Sequence, residues 1–158
     1  MRAIEDWLAD YGASHRHPAN ERLHWICVPL IVLSVLGLLA SLPVPAALAT
    51  ALRGFDWALV AIGVTTVYYA ALSLPLAAGA LIALVLLYVL LAVLRALPWP
   101  LWSTSLVVFI LAWIGQFIGH AIEGKRPSFF RDLQFLLIGP LWLVAAVYDS
   151  LELRYRRR

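Results

Sequence analysis

The sequence has few of the residues that a water-soluble protein of this size needs on its surface. Only 13% of its 158 residues are charged, and 63% are hydrophobic. Soluble domains carry about 25% charged residues, and the mean hydropathy of this chain is +0.88. The shortage of charge argues against a soluble globule. It predicts an integral membrane protein that forms one membrane domain over residues 1–158.

Cysteine is almost missing as well. The single Cys27 excludes an internal disulfide and a thiolate metal cluster. The formal net charge of +3 comes from basic residues in loops and at the C-terminus, without interleaved aromatic residues. That pattern is typical of a topology signal, so we expect a lipid bilayer as partner and no nucleic acid.

Long uncharged runs predict the membrane helices. Residues 23–42 would form a helix of roughly 30 Å, which is enough to span a bilayer. Residues 57–94 contain no charge and are too long for one span, so we expect a turn at Pro75. The runs predict an all-α membrane bundle of about four transmembrane helices within residues 23–121. These helices are 23–42, 57–74, 76–94 and 101–118.

A short interfacial helix is predicted before the bundle, in an N-terminal segment of residues 1–22. Ile4, Trp7 and Tyr11 recur at helical spacing between acidic residues, and Gly12 is expected to end the helix. Asn20 is predicted to be the N-cap of the first membrane helix.

Residues 122–158 are predicted to contain a basic loop, a re-entrant or in-plane helical hairpin at 133–148, and a cytoplasmic tail. The hairpin segment is short for a span and contains Gly139-Pro140. With four crossings, only Arg53 and Arg95 of the 12 Lys and Arg residues lie outside. The asymmetry places both termini in the cytoplasm. The Arg-, Ala- and Leu-rich composition favours a bacterial inner membrane.

The four histidines all fall at the predicted cytoplasmic interface, although the segments that contain them are far apart in sequence. They are His15, His17, His24 and His120. His17 is the weakest candidate for a site, because it precedes a proline in a loop that water reaches. Packing of the first predicted membrane helix against the fourth would bring the other three together.

Residues Gln116, His120 and Glu123 are spaced i, i+4, i+7 and share one stripe of a helix. Gly115 and Gly119 on a neighbouring face allow another helix to approach closely. Imidazole and carboxylate ligands suit Fe(II), Zn or Mn, and would leave coordination positions open for substrate and dioxygen.

Simpler roles are also consistent with these residues. A histidine at a helix end often bonds to a carbonyl, and Gln116 can join two helices. Lys125 and Arg126 are typical inside anchors, or they could hold the carboxylate of a fatty acid.

Two segments resemble the signature regions of the membrane-embedded 2-hydroxy fatty acid dioxygenase family. This family includes the yeast-type enzyme that shortens 2-hydroxy acids derived from phytosphingosine, and has many bacterial members. The segments are residues 11–29 and 113–133, and most of the chain is covered by the resemblance. The matching residues are Tyr11, His15, Pro18, Asn20, His24, Gln116, Phe117, Gly119, His120, Glu123, Lys125, Arg126 and Pro127.

The resemblance implies an Fe(II)-dependent α-oxidation, in which a 2-hydroxy fatty acid and O₂ give a fatty acid one carbon shorter and CO₂. It also implies His15, His24 and His120 as catalytic iron ligands, with Glu123 as a fourth ligand or a partner that orients His120. The remaining matches imply substrate binding by Tyr11, Asn20, Gln116, Lys125 and Arg126. The oligomeric state is not indicated.

Two other functions compete with this interpretation. A zinc-dependent membrane hydrolase is compatible with the ligand types. A non-enzymatic scaffold or transport subunit would have no need of its histidines, and the inverted repeat of many transporters is not visible. Di-iron lipid hydroxylases and desaturases are excluded, because their sites need about eight histidines.

Overall fold

A computed structural model describes residues 3–126 and 134–155. Within these ranges the chain forms seven α-helices and no strand, which confirms the all-α prediction. The predicted roles of Pro127, of the start of the hairpin at Leu133 and of the last three arginines lie outside the described residues. The helices are α1 Ile4–Gly12, α2 Pro18–Ala40, α3 Ala46–Ala51, α4 Trp57–Leu72, α5 Leu74–Arg95, α6 Leu101–Glu123 and α7 Phe135–Ser150.

Three of these helices, α2, α5 and α6, are long and apolar enough to cross a membrane. The 16-residue helix α4 is shorter than a typical span. The fourth crossing and the cytoplasmic termini therefore stay predictions. The predicted helix α1 is confirmed, and α4 and α5 form the predicted hairpin, with Ser73 extended between them.

Helix α2 begins earlier than predicted. Its N-cap is His17, whose side chain accepts a hydrogen bond from the Ala19 N–H, and Pro18 occupies the first helical position. Proline suits that position because its missing N–H has no helical partner there. The prediction of Asn20 as the N-cap is therefore wrong. Asn20 lies inside the helix and is fully buried.

Glycines allow α2 and α6 to pack closely. A Cβ at Gly115 would meet the Cys27 sulfur, and one at Gly119 would meet the Asn20 side chain. Further along the same interface, a Cβ at Gly37 would collide with the hydroxyl of Ser105. The predicted close approach of another helix at Gly115 and Gly119 is confirmed.

The helical hairpin predicted at 133–148 is wrong over the described residues of that segment, because α7 is one continuous helix from Phe135 to Ser150 that passes through Pro140. A proline inside a helix leaves a carbonyl of the preceding turn without its usual partner. That carbonyl belongs to Leu136. The next carbonyl, that of Leu137, accepts a hydrogen bond from the Tyr69 hydroxyl at 2.6 Å, which joins α7 to α4 beside the proline. At 16 residues α7 is shorter than a typical span, and its re-entrant or in-plane placement stays a prediction.

At the end of the bundle far from the histidines, Asp56 connects α4 and α5. Its carboxylate caps α4 by accepting hydrogen bonds from the Ala58 and Leu59 N–H groups. The other carboxylate oxygen accepts from the Tyr88 hydroxyl at 2.7 Å and from Arg95 at 3.0 Å.

Candidate metal centre

Three histidines from different parts of the chain meet at one end of the α2–α6 interface. His15 follows α1, His24 lies in the second turn of α2, and His120 lies in the last turn of α6. All three side chains are buried, and each offers a ring nitrogen within 4.8 Å of the others. Packing of two helix ends and a short loop therefore builds a compact three-imidazole group from residues up to 105 positions apart.

Two of the rings are oriented by their own backbones. The Nδ1 atoms of His15 and His24 lie 2.6 Å from the Tyr11 carbonyl and 2.9 Å from the Asn20 carbonyl, respectively. A carbonyl oxygen can only accept, so each Nδ1 carries the proton and each Nε2 keeps its lone pair. A histidine bound to a metal commonly donates its other N–H in this manner.

The donor set fits a divalent cation. The His15 and His24 Nε2 atoms lie 2.8 Å apart, and lone pairs at that distance repel unless a cation or a proton lies between them. Among the described residues, the buried Nδ1 of His120 has no hydrogen-bond partner. Nitrogen ligands lie about 2.1 Å from a bound zinc ion. Small ring movements are therefore enough to bring the three imidazoles onto one ion.

The loop that contains His15 is held by the end of α6. The Glu123 carboxylate accepts hydrogen bonds from the backbone N–H groups of Arg16 at 3.2 Å and His17 at 2.7 Å. It also accepts one from the Asn20 side-chain amide at 3.3 Å. Lys125 donates to the Ala13 carbonyl at 2.5 Å. Glu123 thus lies outside the three-imidazole group and connects the His15 loop to the helix of His120.

Gly124 makes this arrangement possible. It ends α6 in the left-handed conformation with φ of 69°, which only glycine adopts readily. The reversal directs Lys125 back toward the loop after α1.

Aromatic side chains enclose His15. The Tyr11 ring stacks on His15 with centroids 4.2 Å apart, and Trp142 lies 5.7 Å away on another side. Gly139 leaves the space for Tyr11, because a Cβ at position 139 would lie 2.8 Å from the tyrosine oxygen. The sequence predicts Gly139 as part of a helix break, whereas in the structure it lies inside α7 and permits this close contact.

Burial controls protonation on the loop side of the site. Loss of solvent around His15 lowers the pKa of its imidazole, which favours the neutral ring that a metal requires. Burial also raises the pKa of Tyr11 far above its usual range, so its hydroxyl stays protonated.

A small, mostly apolar cavity of about 60 Å³ adjoins the imidazoles. His24, His120, Gln116 and Tyr11 provide polar groups in its lining. Gln116 is buried, as expected of a polar residue on the inner stripe of α6. The remaining walls are apolar and come from α2, α6 and α7. A cavity of this size holds a small polar head group rather than a whole lipid.

The other predicted site residues lie elsewhere. His17 is exposed and caps α2, Lys125 is bonded to Ala13, and Arg126 is exposed. Asn20 does not line the cavity but supports the site by donating to the Ser14 carbonyl at 3.1 Å and to Glu123.

Sequence reasoning missed three aromatic residues around the site. These are Trp113 and Phe135, which line the cavity, and Trp142 beside His15. Each lies in an apolar run, where spacing does not distinguish a cavity wall from ordinary packing.

A comparison with protein families finds one match that covers nearly the whole chain. The sequence profile of the family described as 2-hydroxy-palmitic acid dioxygenase Mpo1-like matches residues 1–151. Among curated proteins and solved structures, no significant match to the chain was found. The matched range includes all three buried histidines, as well as Glu123 and Lys125, which hold the His15 loop. The chain therefore belongs to the 2-hydroxy-palmitic acid dioxygenase Mpo1-like family.

Proposed function

We propose that the protein is an Fe(II)-dependent dioxygenase that oxidises a 2-hydroxy fatty acid to a fatty acid one carbon shorter. The observation that supports this most strongly is the group of three buried imidazoles beside an apolar cavity, in a chain of this family. The overall reaction balances as R–CHOH–COOH plus O₂ giving R–COOH, CO₂ and H₂O. The substrate supplies all four electrons, so no reductant is required.

His15, His24 and His120 would hold the ion. When bound, Fe(II) supplies positive charge that binds the carboxylate and α-hydroxyl, together with the redox chemistry that activates O₂. Three imidazoles are neutral ligands and leave coordination positions open. In this proposal Glu123 is a positioning residue, because its carboxylate is already bonded to the His15 loop and to Asn20.

Tyr11 and Gln116 would orient the substrate. Both line the cavity beside His24 and His120. Because burial raises the pKa of Tyr11, its hydroxyl remains a hydrogen-bond donor at physiological pH and does not become a competing anionic ligand. The apolar wall that includes Val28, Ile31 and Trp113 excludes water from the reacting carbon. The role of Lys125 and Arg126 in neutralising the carboxylate stays a prediction.

The proposal is tested by metal analysis of anaerobically purified protein, and then by adding a 2-hydroxy fatty acid and O₂ to that protein. We expect metal-free protein to become active when Fe(II) is added, with one O₂ consumed and one CO₂ released per shortened fatty acid. A protein that binds zinc and hydrolyses a lipid without O₂ would be the alternative membrane hydrolase. If replacement of all three histidines changed neither the metal content nor the activity of the protein, a non-enzymatic scaffold would be favoured.

A further inference from the structure

The small cavity beside the three imidazoles is called the metal cavity below. A second, larger cavity adjoins it on the side away from the His15 loop. Its volume is about 390 Å³, and its lining is almost entirely apolar. Five residues line both cavities: Ile31, Val32, Trp113, Leu136 and Pro140. Helices α2, α6 and α7 thus form a wall common to the histidine site and to an apolar space deeper in the bundle.

The larger cavity extends along the helices away from the imidazoles. On α6 it continues from Trp113 to Phe109, and on α4 it is lined by Thr65 and Ala61. From His120 to Phe109 the helix rises roughly 16 Å, at about 1.5 Å per residue. An extended alkyl chain with C–C bonds of about 1.5 Å advances roughly 1.3 Å per methylene. The space thus matches a tail of about a dozen methylenes.

The cavity also faces the surroundings of the bundle. Val35 on α2 is 39% exposed and Leu136 on α7 is 42% exposed, although both line the cavity. In an apolar helical bundle such a sideways opening admits a lipid tail without requiring it to pass through water.

We propose that this cavity, the acyl groove, binds the alkyl tail of the 2-hydroxy fatty acid and that Ala61, Thr65 and Phe109 at its far end limit chain length. The inference rests on the proposed function. It adds a specificity-determining site about three helical turns beyond the imidazoles, with entry from the bilayer between α2 and α7.

A neighbouring groove between α2, α5 and α7 is the main competitor. It has a volume of about 300 Å³ and is lined by Pro29, Ala83 and Leu87, among others. It shares Val28, Val32 and Pro140 with the metal cavity, but its lining includes no residue of α6. Because His120 lies on α6, the acyl groove gives the tail the more direct continuation from the site. Ala83 provides a matched control for Ala61.

The test compares Ala61→Phe with Ala83→Phe in the full chain in lipid nanodiscs. The measured quantity is the ratio of kcat/KM for a long-chain to a medium-chain 2-hydroxy fatty acid. If Phe at position 61 excludes about three methylenes, the ratio falls about fiftyfold. Ala83→Phe keeps the wild-type ratio. A fall in the ratio for Ala83→Phe alone, or for neither variant, overturns the proposal.

A second measurement does not depend on turnover or on the folding of a variant. The wild-type chain is photolysed with a long-chain 2-hydroxy fatty acid that has a diazirine at its methyl end, and adducts are mapped by mass spectrometry. We expect adducts at Thr65 or Phe109, and adducts at Ala83 or Leu87 would overturn the acyl groove. Adducts at Thr65 in a chain that oxidises no 2-hydroxy acid would support the groove and refute the proposed function. If the chain oxidised the 2-hydroxy fatty acid but the adducts lay outside the acyl groove, only the acyl groove would be refuted.

Discussion

The Nε2 atoms of His15 and His24 lie 2.8 Å apart, while each ring donates from Nδ1 to the carbonyl four residues before it. Each ring is therefore fixed by the helical turn that precedes it, and the two lone pairs face each other. A cation shared by the two nitrogens removes the repulsion, and His120 lies close enough to complete the set. This geometry leads to the first prediction.

His24→Ala should lose bound metal and activity together, because it removes one of three ligands and the repulsion that a cation relieves. Metal content per chain after gel filtration, measured beside O₂ consumption, checks this. His17→Asn is the control, since asparagine preserves the helix cap and position 17 lies outside the imidazole group. Retention of full metal content by the His24 variant would contradict the assignment.

Glu123→Gln should weaken metal binding without removing a ligand. The amide keeps the size of the carboxylate, but it loses the charge that strengthens three hydrogen bonds to the His15 loop and Asn20. Loss of such a supporting group typically lowers metal affinity 10- to 100-fold. Competition with a chelator measures the change. The control is Glu21→Gln on the exposed side of the first turn of α2. If the two variants bound metal with equal affinity, Glu123 would have no positioning role at the site.

Gly119→Ala should destabilise the protein and disturb the site, because the new methyl group collides with the buried Asn20 side chain. Overpacking of this kind costs about 1–3 kcal/mol of unfolding free energy. Gly63→Ala is the matched control. Position 63 also lies inside a helix, and a Cβ there meets nothing within 4 Å. Unfolding in detergent, followed by circular dichroism, should show a lower midpoint for Gly119→Ala only.

Asp56→Ala should lower stability and leave the metal site intact. The carboxylate caps α4 and bonds to Tyr88 and Arg95 at the far end of the bundle. Loss of a cap costs about 1 kcal/mol, and the unpaired partners add to this. The check is the unfolding midpoint together with metal content. Arg53→Ala, an exposed position beside it, should change neither. If folded Asp56→Ala protein lost its metal, the Asp56 end of the bundle would be coupled to the histidine site, which would contradict the prediction.

Acidification should destabilise the metal-free protein. Burial lowers the pKa of His15 in the folded state, whereas the unfolded chain has the ordinary value of about 6.5. The unfolded chain therefore gains a proton first as the pH falls through about 6.5, and the unfolding free energy decreases. The unfolding free energy stops decreasing below the folded-state pKa of His15. The measurement is the unfolding free energy of chelator-treated protein at a series of pH values. His15→Gln should reduce the slope of unfolding free energy against pH.

The meeting of the histidines could be predicted because it follows from helix ends. His24 near the start of one apolar helix and His120 near the end of another must lie at similar depth if the two helices pack antiparallel. The glycines at 115 and 119 indicated the close contact, and the spacing of residues 4–11 gave the bounds of α1.

The supporting contacts could not be predicted in the same manner. Glu123 bonds to backbone N–H groups of a loop, and backbone groups have no sequence pattern of their own. The hydrogen bond from Tyr69 to the Leu137 carbonyl of α7 joins residues 68 positions apart, and no local pattern indicates it. The prediction for the start of α2 is wrong because asparagine is a favourable N-cap residue, whereas Asn20 lies inside the helix with its side chain buried against Gly119.

The distance along the chain between His24 and His120 has a consequence for biogenesis. The three imidazoles from the loop after α1, from α2 and from α6 cannot form one group until α6 has been synthesised and inserted beside α2. A cation held by all three would therefore be captured late, after the ribosome has released residue 120. Under the proposed assignment, metal loading would report that α6 has reached its place beside α2, and a chain truncated before α6 would lack one of the three imidazoles.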